Sequence, residues 1–119
     1  MADDIDIYEH QGFRQPLGFG RRPALIIVDF VNGFTDPDKF GGGNIGPAIE
    51  RTGELLAAAR RYRLPIAFTR VVFAADGSYH GIFNIKVPSL GSLQPGSPDM
   101  EIVDALTPEP GERGRCNKC

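Results

Sequence analysis

No apolar run in the 119 residues approaches the roughly 18 positions that a membrane-spanning helix needs. The N-terminus, M-A-D-D-I-D-I-Y-E-H, is acidic and lacks the basic start and apolar stretch of a signal peptide. A cytoplasmic protein that meets no membrane is therefore the expectation. Cysteine is scarce: Cys116 and Cys119 form a lone C-x-x-C in the last four residues, too few thiols to staple a fold of this size. They read as part of an unstructured tail. Excess charge is lacking as well. Thirteen Lys and Arg stand against 15 Asp and Glu, a net charge of −2, which gives no electrostatic footprint for nucleic acid. The two histidines, His10 and His80, have no acidic or cysteine neighbours at metal-ligand spacing, so no metal is expected. No cofactor is expected either. Gly41-Gly42-Gly43 precedes a helix but lacks the Gly-Lys-Ser/Thr ending of a P-loop and the spacing of a dinucleotide fingerprint. It reads as a flexible hinge. Catalysis of the Ser/His/Asp kind has no nucleophile elbow to support it.

What remains is an ordinary globular composition, 41% apolar and 24% charged, over one domain's worth of chain. Fifteen glycines and ten prolines imply many turns. Residues 1–22 read as an arm. Its glycines and prolines prevent long regular structure, while Phe13, Leu17 and Phe19 want a surface to cover them. Residues 24–28, A-L-I-I-V, form an uninterrupted apolar run, the pattern of a strand covered on both faces. Asn44 is placed to cap a helix, and Pro47 falls in its first turn. Ile45, Ile49, Thr52, Leu56 and Ala59 then draw one buried stripe. Arg60, Arg61 and Arg63 complement the dipole at the C-terminal end, and Pro65 stops the helix. Residues 66–73, I-A-F-T-R-V-V-F, predict a second buried strand. Strand, helix and strand in this span form a βαβ unit with parallel strands.

Beyond it, residues 74–98 predict a long irregular loop, of the kind that serves as a lid or binding loop. A short helix over residues 99–106 would bury Ile102, Val103 and Leu106. The P-E-P-G-E turn should lead into a third strand, yet R-G-R-C-N-K-C contains no aliphatic or aromatic residue, and no strand is expected there.

Asp29 ends the first strand, and ligands of open α/β sheets bind outside the carboxyl ends of strands. From position alone it reads equally as a proton-transfer group or as a cap for loop amides. Asp36 and Asp38 are turn residues. Arg70, one strand along, suits a substrate carboxylate, the alternative being a salt bridge to Asp29 or another acid. Lys86, in the lid, offers a pocket cation, the alternative being a solvated surface lysine.

The segment R-P-A-L-I-I-V-D-F-V-N-G-F-T-D-P, residues 22–37, resembles the opening strand and loop of the isochorismatase-like cysteine hydrolases. The preceding G-F-x-x-x-x-G-F-G and the later F-T-R-V-V-F-x-x-D-G-S and K-V-P-S-L resemble their N-carbamoylsarcosine amidase and maleamate amidohydrolase-like branch. The likeness runs over residues 12–112. It implies an α/β fold: a three-layer, Rossmann-like parallel sheet with helices on both faces, here truncated after two to three strands. It also implies an Asp-Lys-Cys triad that cleaves a small carboxylated amide or carbamoyl compound. In that triad the cysteine attacks, the aspartate shuttles the thiol proton and the lysine holds charge between them. The aspartate falls on Asp29. Asn32 and Phe34 fall in the loop that shapes the pocket wall, so with Arg70 and Lys86 they form the substrate-binding set. The D-x-H-x-x-H motif of nicotinamidases has no counterpart.

The departures are equally specific. Lys118 lies near the place of the catalytic lysine, but Arg113, Gly114, Arg115 and Cys116 replace the aliphatic residues expected before it. Neither Cys116 nor Cys119 has the context of the nucleophile. The chain therefore divides into the arm (1–22), the N-terminal part of a hydrolase domain (23–112) and an atypical tail (113–119), read as the end of a truncated or out-of-frame coding sequence. An amidohydrolase lineage inactive by itself is the first expectation, with a homo-oligomer formed through the arm. The alternatives are a non-catalytic interaction module and a vinyl ether hydrolase of the isochorismate type.

Overall fold

A computed structural model describes residues 2–13, 15–78 and 80–116. Residues Ala2–His10 form helix α1, which the glycine- and proline-rich arm sequence did not predict; its turns precede the first glycine, where nothing opposes a helix. Strand β1 (Leu25–Val28) follows, then helix α2 (Ile45–Arg61) and strand β2 (Ile66–Arg70). The strands pair in parallel, Leu25 opposite Ile66 through to Val28 opposite Thr69, as the βαβ reading requires.

Asn44 occupies the N-cap of α2, but its side chain makes no capping bond; its backbone carbonyl accepts from Ala48 N at 2.9 Å instead. At the other end the chain turns before proline acts. Arg63 takes a left-handed conformation (φ 54°), and Leu64 N donates to Ala59 O at 2.9 Å. Leu56 and Ala59, from the lower half of the predicted stripe, are buried against Ile27, Ile66 and Phe68, and Ile49 packs on this cluster partly buried. The opposite face of β1 is open: Ile26 and Val28 are 61% and 57% exposed. The continuous apolar run is thus covered on one face only among the described residues.

The long loop after β2 is more ordered than its composition suggests. It carries helix α3 (Ile82–Lys86) and a helical turn at Pro88–Ser92. Phe73 N donates to Leu93 O at 2.7 Å, and Leu90 and Leu93 are buried in a second cluster with Val31, Val72, Phe73 and Met100. The helix expected over residues 99–106 is absent. Two short helical turns, Pro98–Met100 and Asp104–Leu106, flank an extended step in which Ile102 bridges antiparallel to Val31. Asn32 N donates to Glu101 O at 2.9 Å and Val103 N to Phe30 O at 3.0 Å, so these backbone groups pair with the loop after β1 and not with a helix. Val103 and Leu106 are buried as predicted, with Ile102 partly so.

Strand β3 (Arg113–Cys116) pairs in parallel with the far edge of β2, giving the order β1-β2-β3. This corrects the expectation of no strand: the ladder is made by backbone groups and does not require aliphatic side chains. Arg60, read from sequence as a dipole partner, fastens the approach to β3. Its Nε donates to Glu112 Oε1 at 2.7 Å and its Nη2 to Glu112 Oε2 at 3.0 Å and to Thr107 O at 2.9 Å. Among the described residues no helix is long and apolar enough to cross a membrane.

The Arg60 guanidinium holds the Glu112 carboxyl below its usual value near 4.5. The folded state therefore binds this proton less readily than the unfolded chain. The stabilisation is present above the usual carboxylate value and is lost as pH falls through the lowered one. Glu112→Gln is expected to cost roughly 1–2 kcal/mol at pH 7 in urea unfolding. The gap from the parent should shrink at pH 3; an undiminished gap there would contradict this account.

Candidate functional site

Parallel pairing brings the carboxyl ends of β1 and β2 to one edge, with Asp29 just past the end of β1 and Arg70 the last residue of β2. Asp29 is half-buried and left-handed, with φ 59°, a conformation that costs a side-chain-bearing residue about 1–2 kcal/mol and that aspartate tolerates better than most. Thr69 holds it there. Asp29 N donates to Thr69 O at 3.1 Å and to Thr69 Oγ1 at 3.2 Å, while the Thr69 hydroxyl donates to Asp29 Oδ1 at 2.9 Å. The carboxylate is thereby aimed by the neighbouring strand as well as by its own loop. Val31 N then donates to Asp29 O at 2.9 Å, reversing the chain into the turn Asn32–Phe34.

The other predicted residues divide. Asn32 Nδ2 donates to Pro98 O at 3.0 Å, which ties its side chain to the segment before Met100. Phe34 enters the wall of a cavity of about 350 Å³, stacking at a tilt on Phe40 with ring centres 5.2 Å apart. Val71 and Phe73, just beyond β2, form a second side of that wall, and Phe83, Val87 and Leu90 the third. Arg70 lies outside the wall. Its Nη1 sits 3.5 Å from Glu101 Oε2, so the salt-bridge alternative is the one formed, and its partner is Glu101 and not Asp29. Lys86 is exposed on the last turn of α3, also outside the wall.

Two features had no signal in the sequence. Lys39 donates to Asp99, 60 positions away, and also lies 3.8 Å from Asp36. Each side of the Lys39–Asp99 pair stabilises the other's charged form: the lysine is raised, chiefly by its bond to Asp99, and Asp99 is lowered, chiefly by Lys39. Gly41, expected to be part of a hinge, is a close approach. Its N donates to Asp36 O at 2.7 Å, and a Cβ there would stand 2.6 Å from the Asp36 carbonyl carbon. Asp36 Oδ1 accepts from Asp38 N at 2.9 Å, as the turn reading requires.

His10 ends α1, and His80 packs edge-on against Phe73 with ring centres 5.5 Å apart. Among the described residues no three His, Cys, Asp or Glu side chains are grouped to hold a metal ion. Cys116 lies in β3, opposite Arg70 in register, whereas Lys118 and Cys119 lie outside the described residues.

The Isochorismatase domain family matches residues 23–114. The maleamate amidohydrolase of Pseudomonas putida is 33% identical over 104 residues, covering 82% of this chain and 47% of that protein. The N-carbamoylsarcosine amidase of an Arthrobacter species is 32% identical over 115 residues, covering 89% of this chain and 42% of that one. The crystal structure of a cysteine hydrolase from Pseudomonas syringae pv. phaseolicola superposes with a TM-score of 0.72 at 24% identity, over 85% of this chain and 50% of that one. The chain spans about half the length of the curated relatives it matches.

Asp29 tests the geometry directly. Asp29→Asn keeps an acceptor for the Thr69 hydroxyl and a residue that tolerates φ 59°, and should cost under about 1 kcal/mol. Asp29→Ala loses both and should cost roughly 2–3 kcal/mol in denaturant unfolding. Equal costs would refute the anchoring role assigned to Thr69.

Proposed function

This chain belongs to the isochorismatase family, and from that premise we propose that it carries the base-bearing part of an amidohydrolase acting on a small carboxylated amide or carbamoyl compound. The observation that carries the reading is Asp29. A half-buried carboxylate stands at the carboxyl end of a parallel strand, oriented by a hydroxyl from the adjacent strand. In the reaction proposed, a cysteine thiol gives its proton to Asp29 and its sulfur attacks the amide carbon. The tetrahedral intermediate collapses, the C–N bond breaks, and the proton passes from Asp29 to the leaving nitrogen, releasing ammonia. Water then attacks the thioester, freeing the acid and restoring the thiol. The lysine of the triad would hold charge between acid and thiol.

Phe34 serves this reading as pocket wall. Arg70 meets a substrate carboxylate by exchanging Glu101 for it, an exchange made feasible by a 3.5 Å contact between partly exposed groups. Asn32 positions the pocket through Pro98 O, and Lys86 supplies a more distant cation. The uncovered Ile26 and Val28, together with exposed Phe13, Leu17 and Phe19 in the arm, support association with a further layer or copy.

The described residues place no cysteine at a strand-to-helix turn, so residues 1–119 by themselves are expected to release no ammonia from maleamate or N-carbamoylsarcosine. Co-expression with the second half of the P. putida maleamate amidohydrolase should restore release, and Asp29→Asn should abolish it by at least about a hundredfold. Restored turnover that survives Asp29→Asn would overturn the assignment of the base. Turnover by residues 1–119 alone would overturn their predicted inactivity.

A further inference from the structure

The cavity beside the strand ends has a chemistry of its own. Three separate segments build it: the loop after β1 through Phe34 and Phe40, the extension of β2 through Val71 and Phe73, and the α3 region through Phe83, Val87 and Leu90. None of these residues can ionise, and none has a side-chain hydrogen-bonding group. Of the polar residues near in sequence, Asn32 is tied to Pro98 O, Lys39 to Asp99 and Arg70 to Glu101, while Asn84 and Lys86 stand outside the wall. A charged or strongly hydrogen-bonding group entering this space would lose its water and gain no partner, which is costly. An uncharged ring would lose nothing and would meet aromatic faces and edges. The volume, about 350 Å³, is at the lower end of the range for small-molecule sites and suits one ring with a short substituent.

We propose that this cavity is a binding site for a compact, uncharged aromatic or branched hydrocarbon group. If the chain's substrate is a carboxylated amide, its carboxylate stays outside the cavity, on the Arg70 side, and the cavity selects an uncharged group on the side away from the scissile bond. That last clause rests on the amidohydrolase reading; the binding itself does not. Four phenylalanines supply most of the wall, and Phe83 stands more than half exposed at its α3 side, where a ligand could cover it. Val71 and Val87 are partly buried within the wall, so enlarging either side chain fills the space without disturbing a fully buried position.

The test is equilibrium binding to the full chain, followed by NMR shifts of the methyl and phenylalanine ring signals, and needs no turnover. Phenylacetamide should bind saturably with a Kd of about a millimolar or tighter, while maleamate at the same concentration leaves these signals in place. Val71→Phe and Val87→Phe should each weaken phenylacetamide binding at least about tenfold, with unfolding midpoints used to confirm that each variant remains folded. Equal binding of the two amides would overturn the proposal, as would phenylacetamide binding that both folded variants retain. Binding that falls away as the protein self-associates, read by sedimentation at rising concentration, would also overturn it, assigning the cavity to a side chain of a second copy. Failure of ammonia release leaves each of these outcomes readable.

Discussion

The parallel pairing of Leu25–Val28 with Ile66–Arg70 is the constraint from which the rest of the molecule follows. Parallel strands cannot be joined by a tight turn, so a crossover is required, and α2 supplies it. A helix crossing over a sheet must bury one stripe against it. Leu56 and Ala59 do so, over Ile27, Ile66 and a fully buried Phe68 on the central strand. The same pairing sends both strands out at one edge, and this brings an aspartate and a threonine 40 positions apart into mutual hydrogen bonding. Had the strands run antiparallel, Asp29 and Thr69 would lie at opposite ends.

Positioning at that edge is achieved by polar ties over long sequence separations. Asn32 to Pro98, Lys39 to Asp99, Arg60 to Glu112 and Arg70 to Glu101 each join a residue distant in sequence to the segment between Ser97 and Glu112. That segment has little regular structure, only short helical turns and one isolated bridge, so side-chain bonds and the burial of Met100, Val103 and Leu106 hold it in place. The ties differ in strength. Arg60 and Glu112 are mostly buried and bidentate, and their geometry is the best of the four; Arg70 and Glu101 are more exposed and further apart, which makes that pair the easiest to exchange for another carboxylate.

What the sequence discloses is local and periodic. Strand, helix and parallel strand appear in the expected order, because each signal lies within one element. Among the described residues, however, the first strand is covered on one face only, and the stripe is fully buried only at Leu56 and Ala59. The second strand ends at Arg70, three residues short of the end of the apolar run. Asp29 is legible too, since the end of an apolar run marks the end of a strand. The helix expected over residues 99–106 is not formed, because backbone groups of Glu101 and Val103 find partners around Val31 about 70 positions earlier, and nothing in a window of eight residues signals that competition. β3 was illegible for the opposite reason: its side chains give no apolar signal, while its pairing uses only backbone. Arg60 shows the same limit in a single residue. Its place in the last turn of a helix suggested a dipole partner, and only the fold reveals a carboxylate 52 positions away.

The residues first expected to recognise a ligand are therefore largely employed in holding the protein together. An asparagine or arginine committed to another segment, as Asn32 and Arg70 are, can bind substrate only by releasing that segment, and the ligand must then supply the lost bond as well as its own. The apolar wall carries no such prior commitment. It consists of side chains already desolvated on their inner faces and offers contact to any group that does not need water. In this arrangement polar bonds fix where the wall stands and Asp29 points, while hydrophobic contact is left to discriminate among ligands. Strain follows the same division, for the left-handed backbone at Asp29 is held by three hydrogen bonds with Thr69 on the neighbouring strand and asks nothing of the cavity. The acid and the recognition surface can thus vary independently, one through the strand edge and the other through Phe34, Val71 and the α3 segment.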